Sequence, residues 1–122
     1  MCWTSCRKTG RGGLRCKAAG LTVVSLPLIN TFLQDRQAHS TPQWRGLPPL
    51  HRMKALGIPV ALASDNCRDA FHPYGDYDLL EVLRESMRTG HLDLNAMDWL
   101  GSISTTPAAC MGAKSTIAVK PC

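Results

Sequence analysis

Asp65 stands where chemistry is easiest to place. It follows almost directly on the apolar stretch Ile58-Pro-Val-Ala-Leu-Ala63 and precedes Asn66. A carboxylate at the end of a buried strand can bind a divalent metal or accept a proton from water. The same residue type can equally cap the turn that follows a strand. The four histidines, His39, His51, His72 and His91, form no H-x-H pair, and none stands at the end of an apolar run. They read as loop and surface residues. The six cysteines fall at 2, 6, 16, 67, 110 and 122. Cys2 and Cys6 are spaced C-x3-C and Cys16 has no histidine nearby, which does not suit structural zinc. No secretory context supports a disulfide framework, so free thiols in a cytoplasmic protein are expected.

The elements that must position these residues are short. Leu21-Thr-Val-Val-Ser-Leu26 is β-branched, apolar on both faces and ended by Pro27, as in a buried parallel strand. Ile58–Ala63 is a second such strand, with Pro59 near its start. Leu14 to Gly20 reads as the last turns of a helix, and Leu50 to Leu56 as a short helix stopped by Gly57. Asn30 to Pro49 and Cys67 to Gly75 read as loops, the first long enough to be functional. Asp76 to Arg88 is the clearest helix, with an apolar stripe of Leu79, Leu80, Val82, Leu83 and Met87. Asp76 or Asp78 caps it, Gly90 ends it, and Glu81/Arg84 and Glu85/Arg88 are i,i+3 pairs. Leu94 to Ile103 and Thr105 to Met111 are further helices, the latter with Pro107 at its first position. Thr116 to Val119 is one last apolar stretch. Strands alternating with helices predict parallel α/β architecture. Two parallel strands cannot bury both faces alone, so the sheet must be completed elsewhere.

Charge narrows the partners. The 122 residues carry 14 Lys and Arg against 9 Asp and Glu, a net +5. Arg7, Lys8, Arg11, Arg15 and Lys17 account for the excess, because no acid lies in the first twenty residues. The rest of the chain is balanced, which argues against a body built to hold nucleic acid. The longest uncharged run, Ala18 to Gln34, is interrupted by Gly20, Pro27 and Asn30, which argues against a membrane span.

Val23-Val-Ser-Leu-Pro-Leu-Ile-Asn30, Leu33-Gln-Asp-Arg36, Arg45-Gly46, Met53-x3-Gly57-Ile-Pro-Val60 and Ala63-Ser-Asp65-Asn66 together resemble the C-terminal barrel portion of bacterial cytosine deaminase and related metal-dependent amidohydrolases. The likeness runs on through Pro73-Tyr-Gly75, Asp78-Leu-Leu-Glu-Val-Leu83 and Thr105-Thr-Pro-Ala-Ala109, covering about residues 20–112. It implies an α/β fold: a partial TIM (β/α)8 barrel made of the last two β/α units plus trailing helices. Residues 21–30 stand for the seventh strand and 58–65 for the eighth. Whole barrels need about 250 residues, so this one is incomplete on its own. The implied organisation is an irregular basic tail at 1–17, barrel at 18–112 and a truncated tail at 113–122. The ends depart from the family pattern, and a truncated or frame-shifted reading frame is expected.

The resemblance also implies a reaction. The complete enzyme would hydrolytically deaminate cytosine or a related amino-heterocycle, using a divalent metal (iron or zinc) and a metal-activated water. Asp65 matches the family's metal-binding aspartate and proton acceptor. Asn66 stands where cytosine deaminases have a second aspartate near the substrate. Phe71 resembles a pocket-lining aromatic, and Asn30 would lie near the pocket from the other strand end. The family's H-x-H, two later metal-binding histidines and proton-shuttling glutamate are not found, so the isolated chain is expected to be inactive and to bind no metal. The missing barrel portion or an oligomer partner would complete it. Two other readings stand beside this one. One is a non-catalytic relic or pseudoenzyme. The other is a nucleic-acid binder using the basic tail, for which no helix-turn-helix, finger or RNP signature is present.

Overall fold

The computed structural model of the protein describes residues 11–113. Helix α1 is Arg11–Ala18, strand β1 Val23–Ser25, α2 Pro27–Leu33 and α3 Leu50–Ala55. Strand β2 is Val60–Leu62, and α4 is Leu79–Gly90. A 3-10 helix, Asp93–Ile103, kinks at Asn95 and leads to α5, Thr105–Cys110. β1 and β2 pair in parallel, with Val23 opposite Val60 and Ser25 opposite Leu62. The two predicted strands thus form and lie side by side. The described residues are rich in helix and carry little sheet.

β2 is the centre of the molecule. Val60, Ala61 and Leu62 are all buried, and Val60 and Leu62 join Leu50, Met53, Ile58, Val82, Leu83, Leu92 and Trp99 in one core. Burying each large apolar side chain of this kind contributes about 1.5–3 kcal/mol before chain entropy is counted. Trp99 is 1% exposed. His51 stands edge-on to it at 5.4 Å between ring centres, and the Lys54 ammonium lies 4.4 Å over its ring. β1 is less covered, with Val24 55% exposed beside buried Ser25.

Helix ends follow local chemistry, with departures from expectation. Gly57 takes φ +74 and stops α3 as expected. Asp78 caps α4, its carboxylate accepting the Leu80 N–H at 2.8 Å. The left-handed cap at its other end is His91 (φ 52, ψ 41) rather than Gly90. A Cβ on Gly90 would come within 3.3 Å of Leu47 and Leu92, so close packing is what that glycine serves. Within the apolar stripe, Val82 and Leu83 are buried but Leu80 is 70% exposed. Glu85 pairs with Arg88 and Arg84, each at 3.1 Å; the expected Glu81–Arg84 pair does not form.

Three segments differ from the sequence reading. α1 starts at Arg11, inside the stretch read as irregular to residue 17; residues 1–10 lie outside the described ones. α2 occupies the start of the stretch read as a loop. Pro27 there opens a helix as well as ending a strand, since its fixed φ and missing N–H suit a first helical position. Pro107 is the third residue of α5 rather than the first. Thr116 to Val119 lies outside the described residues. No helix among the described residues is long and apolar enough to cross a membrane.

Candidate active site

Parallel pairing brings the C-terminal ends of both strands to one rim. The Ser25 carbonyl accepts the Ala63 N–H at 3.0 Å, one residue beyond the ladder. The chain then leaves β1 through Pro27 into α2, and leaves β2 through Ser64 to Asp65. Asp65 is exposed and takes a left-handed backbone, φ 63. Non-glycine residues adopt that conformation at a cost, and often where a site demands it. The Asp65 carbonyl accepts the Cys67 thiol at 3.6 Å. No hydrogen bond among the described residues engages its carboxylate, which is open to the rim.

The turn-capping role that Asp65 could have played belongs to Asp69. Its Oδ1 accepts the backbone N–H groups of Phe71 and His72, both at 2.9 Å. Its Oδ2 accepts the side-chain amide of Asn66. The Asn66 bond first, then the backbone donor of His72, hold the Asp69 carboxyl below its ordinary range. The Asp69 N–H returns to the His72 carbonyl at 3.1 Å, and Arg68 closes the loop on the carbonyls of Tyr74 and Gly75.

His72 is the residue the sequence reading missed. It was expected on the surface with the other three histidines; it is 5% exposed. Its Nδ1 lies 2.9 Å from the Asn66 carbonyl, and its ring packs edge-on against Phe32 at 5.1 Å and Tyr74 at 5.9 Å. Arg36 lies 3.9 Å over the Phe32 ring. The run Phe71-His72-Pro73-Tyr74 was the available signal. An imidazole flanked by apolar and aromatic residues can face inward when its nitrogen finds a carbonyl. His39, His51 and His91 are exposed as expected.

The other expected site residues are spread out. Asn30 does not end a strand; it lies within α2, one turn beyond β1. It lines an open groove of about 760 Å³ together with Ser25, Gln34, Trp44 and Arg45. The groove's loop is tied down by Gln34, whose side chain donates to the Gly46 carbonyl at 2.9 Å and accepts its N–H at 2.6 Å. Phe71 is 65% exposed on the loop after β2. Asp65, Asn66 and Phe71 do not line this groove.

The residues present do not by themselves fit a metal. A zinc-type centre takes three or four protein ligands, and among the described residues no group of three His, Cys, Asp or Glu side chains could hold one. Asp65 offers a single carboxylate.

No protein-family model matches the chain. A curated relative, the pterin deaminase of Rhizobium rhizogenes, is 47% identical over 94 residues, which is 77% of this chain and 22% of the relative. Two solved structures of 5-methylcytosine deaminase from Klebsiella pneumoniae, one liganded with 5-fluorocytosine and one with phosphonocytosine, superpose with a TM-score of 0.72 at 27% identity. The superposition covers 84% of this chain and 26% of theirs. These neighbours are amidohydrolase TIM barrels, and the paired β1 and β2 with their helices overlay one part of them. The chain is thus similar to one part of cytosine deaminase-like amidohydrolases and spans about a quarter or less of the length of the proteins it matches.

Proposed function

We propose that this segment supplies the last two β/α units of a barrel that hydrolytically deaminates an amino-substituted heterocycle, with Asp65 as its catalytic carboxylate. The observation that carries this reading is the free Asp65 side chain on the rim shared by β1 and β2, in a stretch closely similar to a deaminase. TIM-barrel chemistry sits at the C-terminal ends of the strands. A carboxylate there can take the proton of a water attacking the ring carbon that bears the exocyclic amine, and return it to the departing nitrogen. Water adds its oxygen to carbon, the carbon–nitrogen bond breaks, and ammonia leaves. Asn66 and Phe71, on the same loop, would face the substrate, and Asn30 would approach from α2, which follows the neighbouring strand. Because no group of three ligating side chains occurs among the described residues, a metal would need ligands from elsewhere as well.

The test is a chimera. Residues 20–112 replace the matching segment of the Rhizobium rhizogenes pterin deaminase, and ammonia release is followed with pterins and aminopyrimidines. A folded chimera that releases ammonia supports the reading; a folded chimera that is inert with all of them overturns it. The isolated 122-residue chain is expected to release none.

A further inference from the structure

The loop after β2 fixes which atom Asn66 can offer. An ionised carboxylate only accepts hydrogen bonds. Oδ1 of Asp69 is engaged by the N–H groups of Phe71 and His72, and Oδ2 faces the Asn66 side chain. The amide must therefore turn its NH2 toward Asp69, whichever way an amide could otherwise be placed. Its oxygen then lies on the opposite branch of the same trigonal carbon. No hydrogen bond among the described residues engages that oxygen. Asn66 is only partly buried, so the oxygen is within reach of a ligand at the rim.

We propose that Asp69 is a positioning residue: it orients the Asn66 amide so that position 66 presents a hydrogen-bond acceptor, selecting amino-heterocycles whose facing edge carries a ring N–H. This rests on the deaminase reading above. It also removes the apparent conflict at position 66. An aspartate there offers an acceptor oxygen, and an asparagine held by Asp69 offers one too. The amide–carboxylate difference then matters through its partner rather than through its own charge.

The arrangement supplies a clean reversal. In Asp69→Asn, the remaining oxygen can still accept from Phe71 and His72, while the new NH2 takes the place of Oδ2 and donates. Asn66 must then flip to accept from it, presenting NH2 to the substrate instead of oxygen. Adding Asn66→Asp restores an acceptor at position 66 while keeping a donor at 69.

The probes are cytosine, whose ring carries an N–H, and 1-methylcytosine, which lacks it, compared by KM in the chimera. The unsubstituted chimera is expected to prefer cytosine. Asp69→Asn is expected to reduce it by about tenfold or more, the scale of one mismatched hydrogen bond, and Asn66→Asp/Asp69→Asn to restore it. A merely structural Asp69 would give no such rescue. Equal preference in the unsubstituted protein and Asp69→Asn, or failure of the double variant to recover, overturns the proposal. An inert chimera would instead count against the deaminase reading. The orientation is then decided on the 122-residue chain by nitrogen-15 NMR. The Asn66 NH2 resonances should show a hydrogen bond that Asp69→Asn removes; resonances unchanged by that substitution overturn the proposal.

Discussion

The floor of this molecule and its rim are held by different physics. The floor is β2, α4 and the 3-10 helix, closed around Val60, Leu62, Val82, Leu92 and Trp99 by apolar burial. The rim is the pair of loops at 34–49 and 63–78. There, side chains bond to backbone: Gln34 to Gly46, Asp35 to the N–H groups of Gln43 and Trp44, Asp69 to those of Phe71 and His72. Among the described residues, five of the six non-glycine residues with positive φ, Asp35, His39, Asp65, Arg68 and Tyr77, lie in those two loops. Burial is tolerant of detail, whereas such loops specify the direction of individual groups. The two regions should therefore fail differently when altered.

The largest effect belongs to the floor. Trp99→Ala is expected to cost about 3–5 kcal/mol, more than a marginal chain can lose without populating unfolded states. Urea unfolding followed by circular dichroism measures it. A loss below about 1 kcal/mol would mean that the core does not close around this ring. On the rim, Asp69→Ala should leave the urea midpoint nearly unchanged and speed hydrogen exchange at the Phe71 and His72 amides. A matching drop in global stability would erase the distinction between the regions.

Acid sharpens the same contrast. Asp69 is held below its ordinary range by donors present only in the folded loop, so the loop's restraint is complete above the unfolded carboxyl value. It is lost as pH falls through the lower, folded value. The Phe71 and His72 amide resonances should titrate with a midpoint below about 3.9, the ordinary Asp value. A midpoint at or above it would show that the carboxylate is not engaged. The smallest effect lies at the edge of the floor. His91→Gly relieves a left-handed cap at the cost of glycine's extra chain entropy, and should gain up to about 1 kcal/mol in thermal or urea unfolding.

The same division decides what could be read in the sequence. The strands were visible because Val23-Val24 and Val60-Ala-Leu62 are apolar runs with Pro27 and Ser64-Asp65 as stops. α4 was visible from its period and its Asp78 cap. α1 was obscured by Gly12 and Gly13. Gly13 has a packing use, since a Cβ there would meet Leu56 at 2.7 Å. α2 was hidden by reading Pro27 only as a terminator. On the rim, Asp65 could be singled out by its place after a strand, but its left-handed backbone could not, because aspartate tolerates that conformation without requiring it. The inward turn of His72 likewise depends on Phe32, forty residues away in sequence. Asp69 was legible in principle: an aspartate two and three residues before amides it can accept is a local turn signature.

The most direct measurement is the rate of ammonia release by the chimera with and without Asp65→Asn. The unsubstituted protein should turn over its amino-heterocycle, and the variant should fall by about 10²–10⁴-fold, the usual contribution of a positioned proton-transfer group, with its fold unchanged. Equal rates in the two proteins would remove Asp65 from the chemistry and with it the assignment of this rim as the active site.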